Sequence, residues 1–444
     1  MDPRVREDDD SLIALTCAIT TGFTMNKISF ALPLLVGALT CTALAEGISL
    51  QDALSASLQH NPQLTSYKIR RAALAGEQTT AALRPEMRLH SELENVAGSG
   101  DFSGVDGAEL TLSFASIIEL GDQRNARLGV ITARQQQLAT EQRVAILDLV
   151  AAVNYRFIAL IAAQEQVQIQ EQAQQLAQSL VTSLGKRVQA GRAPQEELLR
   201  ARAAQAKAAL QVSKARQQVQ SEALKLSAYW ADSTPDFTRA EGDLFALTNA
   251  APLADWQTRL AQNPDLLLLA NETRLRAAEL RKAEAEGQMN LGWSVGVRQL
   301  QTTDDTALVA GINIPLSSGK RASGAISKAR AEQDAATFAA DSAKVQLEAR
   351  LSQTYSAHSQ ALIELHSLRD QILPLLQDAN RATATAFDQG RYSSLELALA
   401  QRELLEARAA LIDATLRAHE TRIELERLTA SAPMDSTQLG EIAQ

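Results

Sequence analysis

Cysteine is nearly absent from this chain. The two present, Cys17 and Cys41, both precede residue 46, so removal of an N-terminal leader would leave no disulfide framework and no thiolate metal site. Aromatic residues make up only 4 %, which disfavours a β-rich enzyme core; Ala, Gln, Leu, Glu and Arg dominate instead, as in long helices. A basic excess is missing too. The formal net charge is −9, the wrong sign for a nucleic-acid partner, whose phosphates call for a basic stripe. No Walker loop, G-x-S-x-G elbow, H-E-x-x-H helix or dinucleotide fingerprint occurs. The histidines are His60, His90, His358, His366 and His419, and none has zinc-site spacing; His358 and His366 stand eight apart on one predicted helix, too far for one metal. The chain is expected to be no enzyme, with no cofactor and no resident metal.

The N-terminus carries a leader signal. Met25-Asn26-Lys27 is a short basic region, Ile28 to Thr40 is apolar, and Ala43-Leu44-Ala45 gives the small-residue cleavage pattern, so the mature chain is expected to begin at Glu46. Residues 1–24 lie upstream with an early acidic run, which leaves Met1 and Met25 both open as the start. An anchoring helix is the competing reading of 28–40, but that run is too short to span a bilayer. Cys41 as a lipid acceptor is another alternative, although Ala38-Leu39-Thr40 is a poor lipidation box.

Repetition organises the rest of the chain. Val188 to Leu198 and Phe387 to Leu397 each read as the tip of a helical hairpin, in which a helix ends at a glycine (Gly191, Gly390) and another opens within a few residues. Pro194 suits the first helical position in one copy; Ser393 and Glu396 have capping-box spacing in the other. The glycines are 199 positions apart (390 − 191). A second pair of signals, Asn61-Pro62 and Asn263-Pro264, opens a helix in each half at an offset of 202 (263 − 61).

After each Asn-Pro helix the hydrophobic period changes from about 3.6 to 2. Met87, Leu89 and Leu93, then Leu110, Leu112 and Phe114, alternate with polar residues; in the second half Trp293, Val295 and Val297, then Leu308, Ala310 and Ile312, do the same. Each half thus contributes a two-stranded hairpin with one apolar and one polar face. Such faces suit a soluble sheet over a core, or an outer-membrane barrel with lipid outside and water inside. Strand length near that of membrane barrels and the long flanking helices favour the barrel. Long helices are predicted from Gln123 to Arg187, Pro194 to Trp230, Ala322 to Phe387 (locally kinked at Pro374) and Ser394 to Leu428. Helices of this length with narrow Ala-rich seams call for coiled-coil packing.

The expected organisation is an N-terminal extension and signal peptide over 1–45, a first repeat over 46–231 and a connecting segment over 232–260. A second repeat over 261–430 and a polar tail over 431–444 complete it. The β-hairpins fall near 86–116 and 289–316, and the tips near 188–194 and 387–394.

In the order and double occurrence of these motifs the chain resembles the TolC-like outer-membrane efflux factors, over about residues 46–430. The segment Phe387–Ala414, with Gln401-Arg402-Glu403-Leu404-Leu405-Glu406-Ala407-Arg408, carries the likeness most clearly. The Leu-Gly-x-x-Arg and Ser-Gly-Lys-Arg segments after the hairpins are most like its heavy-metal (CzcC-like) branch. The resemblance implies an α+β membrane protein, a homotrimer in which four strands per chain build one shared β-barrel, joined to a coiled-coil barrel of long helices. It further implies a passive duct in the outer membrane of a Gram-negative bacterium. A periplasmic helical tunnel would meet an adaptor (a membrane fusion protein) and an inner-membrane RND-type pump, with outer-membrane lipid around the barrel. Four strands cannot close a barrel alone, which argues independently for several chains.

On the same resemblance Glu197 and Glu396 fall at the periplasmic gate, although first-turn acids are also ordinary complements to a helix dipole. The second gate acid expected one turn beyond Glu396 is replaced by Leu399. Arg187, Gly191, Arg192, Gly390, Arg391 and Tyr392 make up the tips, where the charged and aromatic side chains contact an adaptor or tether adjacent hairpins, or are plain solvated loop residues. Leu110, Leu112, Phe114, Trp293, Val295, Leu308 and Ile312 are the expected lipid-facing set. Two rivals remain: a periplasmic adaptor, which has one helical hairpin between halves of a lipoyl domain, and a soluble coiled-coil scaffold, which leaves the leader and alternating strands unexplained.

Overall fold

The computed structural model describes residues 47–247 and 251–431. The predicted signal peptide, Cys17, Cys41, both start sites and nearly all of the polar tail lie outside the described residues.

Strand β1 (Gly47–Ile48) leads into helix α1 (Leu50–His60), opened by a capping box: the Asp52 amide donates to Ser49 Oγ at 3.2 Å and the Ser49 amide returns to Asp52 Oδ2 at 3.3 Å. Helix α2 (Pro62–Ala81) starts where Asn61 Oδ1 accepts the amides of Gln63 and Leu64. Strands β2 (Arg88–Glu94) and β3 (Glu109–Ile118) come next. Helix α3 (Gln123–Gln189) has 67 residues, about 100 Å at 1.5 Å per residue. It turns at the first tip into α4 (Gln195–Ser227). Among the described residues the connecting segment contains two regular elements. Its strand β4 (Arg239–Ala240) pairs in parallel with β1, and helix α5 (Leu253–Leu260) occupies its end.

The second half runs through α6 (Pro264–Glu286), β5 (Leu291–Leu300), β6 (Asp305–Asn313), α7 (Ser318–Ser367), a π-helical turn (Leu368–Ile372), α8 (Leu373–Asp388) and α9 (Ser394–Leu428). Two local expectations need correction. Pro194 is the cap of α4, not its first residue. The helix expected to run from Ala322 to Phe387 is interrupted at Leu368–Ile372, just before Pro374. Pro374 offers no amide to the Asp370 carbonyl and its ring crowds that turn; the wider π turn accommodates the conflict.

Helix α3 is the structural axis, packing against α1, α2, α4, α6 and α9. Its Val150, Val153, Phe157, Leu160 and Ile161 meet Ala53 and Leu58 of α1, Leu226 of α4 and Leu244 of the connecting segment in the largest core cluster. Smaller clusters join α5, α7 and α9 (Trp256, Leu351, Leu425) and α8 and α9 (Leu373, Leu404, Ala407). The helical layer remains apolar at both lateral margins. Ile69, Leu199, Leu210 and Leu224 are exposed on α2 and α4, and Phe338, Val345, Ile363 and Leu375 on α7 and α8.

The two β-hairpins are one sheet. Its order is β2-β3-β5-β6 and every neighbouring pair is antiparallel, with β3 and β5 joining the halves through Leu112↔Val297 and Phe114↔Val295. A Cβ on Gly296 would lie 2.3 Å from the Leu112 carbonyl oxygen, so this seam closes only because position 296 has no side chain.

Candidate functional site

The sheet has two unlike faces. Cross-strand pairing puts Leu89, Leu93, Leu110, Leu112, Phe114, Trp293, Val295, Val297, Leu308 and Ile312 on one of them. All seven residues read from the sequence as lipid-facing are among these. Leu308 is 86 % exposed and Ile312 74 %, and Trp293 is half-buried opposite Ile312. Among the described residues, nothing in the chain covers this face.

The opposite face is polar, and Arg298 of β5 is its hub. Arg298 Nε donates to Thr111 Oγ1 at 2.9 Å, Nη1 to Glu109 Oε2 at 2.9 Å, and Nη2 lies 3.1 Å from Glu94 Oε2. Asn95 Nδ2 donates to the second Glu109 oxygen at 3.1 Å. These bonds cross from β5 to β3 and β2. A planar guanidinium with several donors in a fixed fork is suited to bind both carboxylates at once. The sequence offered only alternation at these positions; the β3–β5 pairing that brings Arg298 to Glu109 spans 189 residues and has no local signal.

At the other end of the helices the two tips lie against each other. Gly191 (φ +69°) and Gly390 (φ +75°) are left-handed as the turns require. The Arg192 amide reaches the Arg187 carbonyl and the Arg391 amide the Ala386 carbonyl, each at 2.8–2.9 Å, the wide bond of a Schellman end. Arg187 ties the tips together, donating from Nη2 to the Phe387 carbonyl at 2.7 Å with its guanidinium 3.9 Å from the ring centroid. Ser394 Oγ donates to Glu197 Oε2 at 2.8 Å across the same junction. Phe387 and Ser394 were not among the expected site residues; Phe387 opens the second tip segment and, as an apolar residue, reads locally as core.

The two expected gate acids differ in what they do. Glu197 reaches the other hairpin. Glu396 is engaged in its own helix start, accepting from the Ser393 amide at 2.7 Å and from Ser393 Oγ at 2.9 Å. Those bonds hold its carboxyl below the usual carboxylate range. Arg192, Arg391 and Tyr392 lie at the tips, with Arg391 and Tyr392 exposed and Arg192 exposed beside them.

Midway along the helices the Asn-Pro signals acquire a second role. Asn61 Nδ2 donates to the Tyr229 carbonyl at 2.8 Å, where the α4 limb ends, and Asn263 Nδ2 to the Leu428 carbonyl at 2.7 Å, where α9 ends. Each asparagine caps one helix and anchors the last turn of another. Beside Asn263, Arg427 grips Asp265 with two bonds (2.7 and 3.1 Å) and Asp148 at 2.5 Å. Burial opposes its charge, and these partners outweigh that effect and raise its pKa.

The buried histidines are structural. His358 Nδ1 faces the Ala418 carbonyl and Thr421 Oγ1, and His419 Nε2 donates to the Leu244 carbonyl at 2.7 Å; burial lowers both pKa values. Among the described residues no group of three or more His, Cys, Asp or Glu is arranged to hold a metal ion. Among the described residues one helix, α3, is long and apolar enough to cross a membrane, but half of that window is buried within the chain.

Comparison with known proteins gives concordant results. The family model described as outer membrane efflux protein matches residues 53–232 and 257–431. The chain is 24 % identical over 382 residues to the cobalt-zinc-cadmium resistance protein CzcC of Cupriavidus metallidurans, covering 86 % of this chain and 90 % of that one. Its fold is similar to that of the outer-membrane channel OprN (TM-score 0.73, 18 % identity, 86 % of this chain and 89 % of that one). It is also similar to the outer membrane protein VceC of Vibrio cholerae (TM-score 0.71, 18 % identity, 86 % and 95 %).

Proposed function

Because the chain belongs to the outer membrane efflux protein family, and is therefore a non-enzymatic efflux channel of the outer membrane, we propose that it works as a passive duct assembled from three copies. The four-stranded sheet carries this reading. Among the described residues it exposes one continuous apolar face and has two unpaired edges, β2 and β6, that run in opposite directions. An edge pairing of β6 on one copy with β2 on the next continues the antiparallel order without a break, and a closed ring leaves no free edge in lipid. Three copies supply twelve strands. The apolar face then meets lipid and the polar face lines water.

The same edge-to-edge assembly brings the apolar margins of α7 and α8 against those of α2 and α4 in the next copy, extending the barrel as a helical tunnel into the periplasm. The two matched segments of the family model and the paired roles of Asn61 and Asn263 support an internal two-fold repeat beneath this architecture. The tips, with Arg187, Arg192, Arg391 and Tyr392, form the docking end for a periplasmic adaptor and, through it, an inner-membrane RND-type pump that supplies the energy. Glu197 lies at the gate. The likeness to a cobalt-zinc-cadmium resistance protein supports heavy-metal cations as cargo; a duct needs no ligand cluster to pass them.

The cargo is tested by deleting the chain and titrating cobalt, zinc and cadmium salts against growth. A sensitised deletion strain, restored by the wild-type chain, is expected. Unchanged metal tolerance with new sensitivity to organic antibiotics would assign the duct to other solutes.

A further inference from the structure

On the polar face of the sheet, the end farthest from the helices carries an uneven set of charges. Glu92 and Glu94 on β2, Glu109 on β3 and Asp305 on β6 stand on that face with one strong cation, Arg298. The other arginine of the face, Arg88, lies at the helix-proximal end and pairs with Glu86. His90 stands between the ends, with Nε2 3.7 Å from Glu92 Oε2. Arg298 contacts two of the four acids, Glu94 and Glu109, and its single positive charge offsets one of the four negative charges. Its side chain is about one-third exposed and those of Glu94 and Glu109 are 42 % and 23 % exposed, so the three-part network remains in contact with solvent on that face.

From this geometry we infer that Arg298 sets the ion preference of the outer end of the duct: shared between Glu94 and Glu109, its one positive charge cancels one of the four negative charges there and so weakens the negative field that those two acids, Glu92 and Asp305 give that end. The inference rests on the reading that the polar face lines a water-filled lumen. In a shared barrel each arginine appears once per copy, so one substitution changes the ring by one charge in every chain. The field of such a ring acts over the Debye length, about 30 Å at 0.01 M salt and about 3 Å at 1 M. A preference for cations that strengthens on loss of Arg298 must therefore appear in dilute salt and fade in concentrated salt.

The test uses the assembled full-length channel in planar bilayers, with reversal potentials measured across a gradient of potassium chloride. Arg298→Cys is expected to raise the cation-to-anion permeability ratio about threefold or more in dilute salt. A cationic methanethiosulfonate reagent added to the same channels restores a positive charge at position 298 through a mixed disulfide, and should return the ratio toward the wild-type value. An anionic reagent should raise it further. Because the charge is replaced in a channel already inserted, failure to fold cannot imitate either response. Conductance that responds to the reagents with an unchanged reversal potential would overturn the role of Arg298 and leave the lumen reading intact. Position 298 unreactive toward both impermeant reagents in an open channel, with the parent channel as baseline, would overturn the lumen reading and with it this inference. Arg298→Lys separates charge from geometry: it is expected to keep the wild-type ratio, and a shift as large as that of Arg298→Cys would contradict a charge-based role.

Discussion

The guanidinium of Arg187 lies 3.9 Å from the centroid of the Phe387 ring, while its Nη2 donates to the Phe387 carbonyl at 2.7 Å. One side chain at the end of α3 thus holds both the ring and the backbone at the end of α8. It ties the first hairpin tip to the second within a single chain.

Arg187→Ala removes both interactions. A cation–π contact contributes about 0.5–2 kcal/mol and a hydrogen bond from a charged group about 1.5–3 kcal/mol, so the tips should separate more readily. Increased susceptibility of cells to large antibiotics that the closed channel excludes is the expected outcome. Arg187→Lys retains the charge but lacks the planar fork and should fall between wild type and Ala. Equal exclusion by all three would remove the tie from the closed state.

Glu197 and Glu396 should separate in the same assay. Glu197→Ala breaks the cross-tip bond to Ser394 and is expected to raise permeability. Glu396→Ala acts on the start of α9, so its main effect should be fraying of that helix, seen as faster amide exchange after Ser393. The Glu396 carboxyl is held below its usual range by Ser393. Its contribution is therefore present above the ordinary carboxylate pKa and is lost as pH falls through the lowered folded value. Amide protection at the α9 start, corrected for the intrinsic pH dependence of exchange, should fall in acid for wild type and change little with pH for the alanine variant. Identical pH profiles would contradict the capping role.

Arg427 offers a test far from both ends. Its side chain is 12 % exposed and is shared between Asp265 and Asp148. Arg427→Gln leaves Asp265 without its cation between α6 and α9, and loss of one partner of such a pair costs about 3–5 kcal/mol when buried. Asp265 is partly solvated, so a loss near the lower end is expected, measured as a fall in thermal midpoint in detergent. A midpoint within a degree or so of wild type would show that water replaces the arginine freely.

Adjacent residues of β6 test the two faces of the sheet. Leu308 lies on the apolar face and Val309 opposite Gly296 on the polar one. Leu308→Lys should block outer-membrane assembly, since a lysine facing lipid near the midplane costs about 2–4 kcal/mol. Val309→Lys should assemble. Comparable assembly of both variants would contradict the assignment of lipid and water.

Local chemistry makes much of the fold legible in the sequence. Asn-Pro pairs, the Ser393–Glu396 box and two glycines able to adopt positive φ specify where helices start and stop, and period-2 alternation fixes which strand residues share a face. Pairing across the chain is not legible. Nothing near Leu112 specifies Val297 as its neighbour, so the union of the hairpins and the Arg298 network emerge only in the folded chain. The same limit applies at the tips. Gly191 and Gly390 announce two turns, but the contact of Arg187 with Phe387 depends on how long helices pack. Pro374 announces a disturbance, and its form, a π turn several residues earlier, is decided by packing around Leu365, Leu368 and Leu373.

The most direct test of a shared barrel is the detergent-corrected mass of protein extracted from outer membranes, measured by light scattering. With a full-length chain of 47.9 kDa, a mature trimer of about 130 kDa is predicted. A monomer, recovered without detergent, would contradict it.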